Sequence, residues 1–211
     1  METKLLSDHA EDLLEAAELL RNGAVVGMPT ETVYGLAADA RDPEAVRQIF
    51  AAKGRPADNP LIVHIAEMRA LEQVAAIVPP LAEKLAERFW PGPLTMILPK
   101  RKEIPEITSG GLDTVGIRMP SHPVARALIQ LSGVPIAAPS ANISGYPSPT
   151  TAQHVMRDMQ GKIAAVVDGG ACSVGVESTV IALEPNGTVR ILRPGFVTKE
   201  MLEEVAPEVT L

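Results

Sequence analysis

Apolar positions recur at helical spacing through Leu13, Leu14, Ala17 and Leu20, between Asp8 and Asn22, and Gly23 stops the run. This predicts a first helix from about Asp8 to Asn22, opened by an Asp8/Glu11 capping box. The period then drops: Ala24 to Met28 is a short apolar run that reads as a buried strand. The same alternation continues along the chain. Helices are expected from Pro43 to Ala52, Glu67 to Ala75, Pro80 to Phe89, Pro123 to Leu131 and Thr151 to Met159. Strands are expected at Leu61 to Ile65, Leu94 to Leu98, Val115 to Arg118, Pro135 to Ala138 and Ile163 to Val167. Near the end, Ser178 to Leu183 and Val189 to Leu192 flank Pro185-Asn186-Gly187, a hairpin signal that brings antiparallel pairing into the sheet. Lys100 to Asp113 mixes charge, Pro and Gly and reads as a mobile excursion, a candidate lid.

Helices alternating with strands and followed by a hairpin imply an α/β fold: a twisted mixed parallel and antiparallel sheet with flanking helices. A chain of 211 residues is expected to form one domain, with a core from about 8 to 205 and no second domain. Its 46% hydrophobic and 21% charged content is that of a globular protein, and no run reaches the roughly 18 apolar residues of a membrane span. The N-terminus METKLLSDHAEDLL lacks the basic then apolar order of an export signal, so a cytoplasmic location is the default expectation. A net charge of −7 argues against non-specific nucleic-acid binding, and 3% aromatics supply little for base stacking. Cys172 is the single cysteine, which excludes an intrachain disulfide and a thiolate zinc cluster.

Chemistry-bearing residues gather where strands end. Met28-Pro-Thr-Glu-Thr-Val-Tyr-Gly-Leu36 packs two hydroxyls, a carboxylate and a phenol into one turn after a strand; a helix N-cap at Thr30 or Thr32 is the competing reading. In Lys53-Gly-Arg-Pro-Ala-Asp-Asn-Pro60, Lys53 and Arg55 offer a point charge and a planar fork suited to phosphate, without a Walker loop. The alternative is a basic helix C-terminus complementing the dipole. Ser140, Asn142 and Ser144 alternate in the small-residue tract after Ala138, which is equally a hydrogen-bonded loop. Its neighbour Ser148-Pro149-Thr150 is expected to open a helix whose free N–H groups favour anions. His64 inside an apolar strand reads first as a satisfied core histidine. Arg118 and Arg193 stand at strand ends, and Asp168 to Thr179 is a glycine-rich loop in which Cys172 would be a nucleophile only beside an activating base. Cationic and hydroxyl tracts without a metal cluster or evident nucleophile point to an enzyme that binds a polyphosphate and acts by positioning and charge neutralisation.

The motifs PTETVYGL, KGRP with NPLIVHI, FWPGPLT, VGIRMP, APSANISG, ESTVI and ILRPG occur in an order that resembles the YrdC-like threonylcarbamoyl-adenylate synthases, from about Gly23 to Gly195. The resemblance implies a YrdC-like fold with a concave cationic cleft. It also implies formation of threonylcarbamoyl-AMP and pyrophosphate from L-threonine, bicarbonate and ATP, for threonylcarbamoyladenosine synthesis in tRNA. By the same resemblance Thr32, His64, Arg118, Ala138 and Ser178 surround threonine. Lys53, Arg55, Asn59, Thr114, Ser140, Asn142, Ser148 and Arg193 serve the nucleotide, with Lys53 and Arg55 in the catalytic role. Mg²⁺ is expected to arrive with ATP, held mainly by phosphate oxygens and water. The downstream partner is the tRNA-modification machinery, and no membrane is involved. Longer family members carry a linker and a second domain, so this chain is expected to be a short form or an isolated catalytic domain. The alternatives are an RNA-binding module of the same fold and a paralogue with another small-molecule reaction.

Overall fold

In the computed structural model, which describes residues 1–211, eleven strands form one mixed sheet in the order β1-β8-β2-β3-β7-β4-β6-β5-β9-β10-β11. The strands are β1 (Lys4–Leu6), β2 (Val26–Met28), β3 (Gly35–Asp39), β4 (Ile62–His64), β5 (Leu94–Pro99), β6 (Thr114–Arg118), β7 (Ile136–Ala137), β8 (Ala165–Val167), β9 (Thr179–Leu183), β10 (Thr188–Arg193) and β11 (Glu208–Thr210). The helices are α1 (Ala10–Arg21), α2 (Pro43–Lys53), α3 (Leu71–Val74), α4 (Pro80–Phe89), α5 (Glu106–Ser109), α6 (Pro123–Ser132), α7 (Ala152–Met159) and α8 (Lys199–Glu203). β4 pairs parallel to β6 and β5 parallel to β9, while β7 runs antiparallel to both β3 and β4. The hairpin of β9 and β10 is antiparallel, as its Asn-Gly turn predicts. No helix is long and apolar enough to cross a membrane.

Two apolar clusters flank the sheet. Leu20 of α1 and Val124 and Leu128 of α6 pack with Val26 and Met28 on one side. Ile49 and Phe50 of α2, Leu85 of α4 and Val155 of α7 share the larger cluster with Val63, Met96 and Ile117. Helix ends follow local chemistry. The Asp42 side chain accepts from the N–H groups of Glu44 and Ala45, Pro43 takes the first helical position, and Gly54 ends α2 at φ 66°.

Several expectations are corrected. Asp8 and Glu11 form no capping box: the helix starts after His9, and Asp12 instead accepts from the Ser7 backbone and hydroxyl at 2.7 and 2.8 Å. The expected helix Glu67 to Ala75 is a 3-10 turn at Met68–Ala70 followed by the single turn α3. The Lys100 to Asp113 segment is no lid. Ile104, Thr108 and Ser109 are buried, α5 lies within it, Thr108 donates its hydroxyl to the Ala40 carbonyl at 2.8 Å, and the Leu61 N–H donates to the Thr108 carbonyl. Such backbone anchoring holds the segment to the strand that enters the site. No helix follows Thr30 or Thr32; the turn leads into β3. β1 and β11 form the two sheet edges outside the expected 8–205 core. They are too short to show a period in sequence.

Candidate active site

The register of β4 against β6 sets His64 beside Arg118. Side chains alternate across a strand, and Val63 and Ile117 point into the larger core, so His64 and Arg118 share the opposite face. There they meet Thr32, from the turn before β3, Ala138, just past β7, and Ser178, just before β9. Arg55, Pro139, Ser140, Glu177 and Arg193 also line this cavity of about 280 Å³, with Val33 and Pro60 to Ile62 filling the remaining wall. A smaller recess of about 30 Å³ continues between Thr30, Gly35, His64, Arg118 and Ser140.

Each wall is held by local geometry. The tract after β7 pairs with the turn before β3: Leu36 N–H donates to the Pro139 carbonyl at 2.8 Å, and Ala141 N–H to the Tyr34 carbonyl at 2.9 Å. Gly35 eases that approach, since a Cβ would stand 3.0 Å from that of Ala138, tighter than ordinary contact. On the opposite wall, Arg193 donates to the Ser178 carbonyl at 2.9 and 3.0 Å and to the Ser178 hydroxyl at 3.1 Å. A Cβ at Gly195 would lie 2.6 Å from the Glu177 carbonyl and from the Thr179 nitrogen, so only glycine lets the Arg193 loop close on this segment. Thr95 and Ser178 hydroxyls share a 2.7 Å hydrogen bond in the floor.

The charges are arranged in pairs. Arg118 is buried and ion-paired to the buried carboxylate of Glu31, which also accepts from the Ser121 N–H at 2.9 Å and hydroxyl at 2.8 Å. Burial lowers the Arg118 pKa, and Glu31 opposes that shift. Arg193 pairs at 2.8 Å with Glu177, whose other oxygen accepts from the Ser148 hydroxyl at 3.1 Å. Arg55 lies over the Phe50 ring at 5.4 Å, and its Nε is buried without a hydrogen-bond partner. A buried unpaired cationic donor is costly, and the same side chain lines the cavity. Burial and then Arg118 push the His64 pKa down to about 3, so the ring is neutral at ordinary pH, with Nδ1 at 3.1 Å from the Ile62 carbonyl.

Other expected site residues lie outside the lining. Lys53 is buried and donates to the carbonyls of Ser140 and of Asn142, the latter at 2.8 Å, so it ties helix α2 to the Ser140 loop. It is both the basic helix end and a tether across the site. Burial and then Arg55 push its pKa down to about 8. Asn142 is buried, donating to the carbonyls of Ile143 and Tyr146, with Oδ1 unpartnered. Asn59 is exposed next to Pro60, Thr114 begins β6 at the end away from Arg118, and Ser148 reaches the cavity through Glu177. The helix after Thr150 begins at Ala152 and is capped by Thr151, so Ser148 does not open it. Tyr34 is fully buried and hydrogen-bonded to Gly169 and Gly170, which removes its phenol from the ligand turn. Cys172 is half-buried outside the cavity, and burial pushes its thiol up to about 11, the reverse of an activated nucleophile. No three His, Cys, Asp or Glu side chains converge as a metal site.

Two carboxylates carry no assigned role in the sequence reading, Glu31, present there only as part of the Met28–Leu36 turn, and Glu177. Each stands one position before an expected threonine contact, Thr32 and Ser178, and their charge opposite to Arg118 and Arg193 was the available signal. Only the tertiary pairing shows what those carboxylates hold.

The family of Sua5, YciO and YrdC, described as "Telomere recombination", matches residues 18–195. Threonylcarbamoyl-AMP synthase of Pyrococcus abyssi is 57% identical over 196 residues, which are 93% of this chain and 57% of that protein. The Bacillus subtilis enzyme of the same name is 54% identical over 205 residues, covering 96% of this chain and 59% of that one. The crystal structure of P. abyssi Sua5 complexed with L-threonine superposes with a TM-score of 0.93 at 51% identity, over 99% of this chain and 62% of that chain. The chain therefore spans somewhat over half the length of these relatives.

Proposed function

This chain belongs to the Sua5, YciO and YrdC family, and on that premise we propose that it forms threonylcarbamoyl-AMP and pyrophosphate from L-threonine, bicarbonate and ATP. The observation that carries this reading is the cavity itself, where Arg55, Arg118 and Arg193 converge with the hydroxyls of Thr32, Ser140 and Ser178. An amino acid and a phosphate chain both need fixed cationic donors, and the deep and outer arginines supply two separate sets. Arg118, His64, Thr32 and Ala138, which also border the smaller recess, are assigned with Ser178 to threonine. Arg55, Ser140 and Arg193 are assigned to phosphates.

The cavity of about 280 Å³ lies just below the usual range of ligand pockets, about 300 to 1,000 Å³. It suits an amino acid with part of a triphosphate and leaves the nucleoside toward the open side. In the proposed step the carbamate formed on the threonine nitrogen attacks the α-phosphorus of ATP through oxygen. That P–O bond forms as the bond to the departing pyrophosphate breaks, so the nucleophile belongs to the substrate. Arg55 neutralises charge on the leaving group, and Lys53 keeps the Ser140 loop in place for it. The cavity offers one carboxylate, Glu177, already engaged by Arg193 and Ser148. Mg²⁺ is therefore proposed to enter on the triphosphate, held by phosphate oxygens and water rather than by this chain. The product is a mixed anhydride, whose natural consumer is an enzyme that transfers the threonylcarbamoyl group to tRNA.

Pyrophosphate release from ATP tests the reading when threonine and bicarbonate are omitted in turn. Release should require both, and release unchanged without threonine would refute the assignment.

A further inference from the structure

Glu31 does not itself line the cavity, yet the donors and acceptors around it form one directed chain that reaches the cavity at Arg118. One carboxylate oxygen accepts from Arg118 Nη2, and the other accepts from the N–H and hydroxyl of Ser121. With both oxygens engaged and the side chain buried away from the cavity, Glu31 is not placed to contact a ligand itself. Arg118 spends three of its five N–H groups inside the protein: Nε on the Gly92 carbonyl at 3.3 Å, Nη1 on the Thr32 hydroxyl at 3.0 Å, and Nη2 on Glu31. One N–H on each terminal nitrogen is left.

The chain continues past Arg118. Thr30 Oγ1 donates its only proton to the Val33 carbonyl at 2.6 Å. In its 2.9 Å contact with Thr32 Oγ1 it must therefore accept, which spends the Thr32 proton on Thr30. Since Thr32 also accepts from Arg118, its hydroxyl has no proton for a ligand and one lone pair to offer. The deep end of the cavity thus carries opposed functions side by side: two free guanidinium N–H groups that suit a carboxylate, and a hydroxyl obliged to accept, which suits an amine or a hydroxyl.

We propose that Glu31 is the positioning residue of the amino-acid subsite: it fixes the Arg118 guanidinium, and with Thr30 it sets the direction of the Thr32 hydrogen bond. This rests on the assignment of Arg118 and Thr32 to threonine. Removing the charge at Glu31 frees Arg118 to turn, and a purely structural ion pair would lower stability without distinguishing between ligands.

Isothermal titration of this chain with threonine and, separately, with ATP tests the proposal. Glu31→Gln should raise the threonine Kd about tenfold, the loss expected when a charge-assisted hydrogen bond no longer holds its partner, and leave the ATP Kd within about twofold. Thr30→Val should raise the threonine Kd about threefold, while Thr30→Ser, which keeps the hydroxyl, should restore it. Should Glu31→Gln fail to fold, Ser121→Ala decides, because it removes one bond from the same carboxylate; a selective rise of about threefold is expected. The proposal is overturned if the parent binds threonine and the folded variants leave its Kd within about twofold, or weaken both ligands equally. A parent chain that binds no threonine refutes the assignment of the subsite itself, and the proposal with it.

Discussion

Replacing Lys53 with methionine separates what that side chain does for the fold from what it does for the site. The ammonium is buried and donates to the Ser140 and Asn142 carbonyls. Hydrogen bonds from a charged donor are worth about 1.5 to 3 kcal/mol each, so the pair contributes about 3 to 6 kcal/mol. Against this, the pKa is pushed down from 10.5 to about 8 by burial and by Arg55. At about 1.4 kcal/mol per unit, keeping the group charged at pH 7 costs about 3 kcal/mol, and methionine removes that cost. The net loss is about 0 to 3 kcal/mol, small enough for the chain to remain folded. The Ser140 loop nevertheless loses its tether to α2, so pyrophosphate release should fall by about two orders of magnitude, as when a fixed donor is lost from an anion site. The pH dependence gives a second readout. Between pH 8 and 10.5 the unfolded chain holds the Lys53 proton and the folded chain has released it, so this group makes stability rise with pH across that window. Lys53→Met should flatten that rise. Thermal unfolding at pH 7, 8, 9 and 10 together with pyrophosphate release measures both effects. A folded variant with turnover within about threefold of the parent would refute the tether and leave Lys53 as an ordinary basic helix end.

Three further outcomes are expected. Gly195→Ala should lower stability by about 1 to 3 kcal/mol in denaturant melts and weaken nucleotide binding, since the new Cβ meets backbone of Glu177 and Thr179 at 2.6 Å; a wild-type melt would show that the loop yields freely. Cys172 should resist alkylation by iodoacetamide at pH 7.5 in the folded chain, because burial pushes its thiol up to about 11, and Cys172→Ala should keep full pyrophosphate release; loss of activity would return the thiol to the chemistry. His64, held at about 3, should show ring NMR shifts that stay flat from pH 5 to 9, so a titration midpoint near the ordinary value of about 6.5 would contradict its burial beside Arg118.

The elements best read in advance were those whose signal is local. α2, α4 and α6 carry Pro at the first turn and a strong apolar face, and their observed bounds fall within a residue of the expected ones. The hairpin of β9 and β10 followed from Pro185-Asn186-Gly187 between two β-rich segments. β3 was hidden, because Gly35-Leu-Ala-Ala-Asp39 has neither alternation nor β-branched residues and is a strand only through its neighbours β2 and β7. The Lys100 to Asp113 segment misled by composition: its charges are real, but Ile104 and Thr108 pin it to the core.

The same division holds at the site. The sequence by itself determined the α/β class, the ends of the main helices and which residue types carry the chemistry, because capping, turn formation and side-chain acidity are properties of a few adjacent residues. Tertiary structure decided how those groups are used. The parallel register places His64 against Arg118, burial makes one a neutral ring and commits the other to Glu31, and a helix-terminal lysine becomes the tether of a loop 87 residues away. Those outcomes depend on solvent exclusion and on partners distant in the chain, and neither is written in the local pattern.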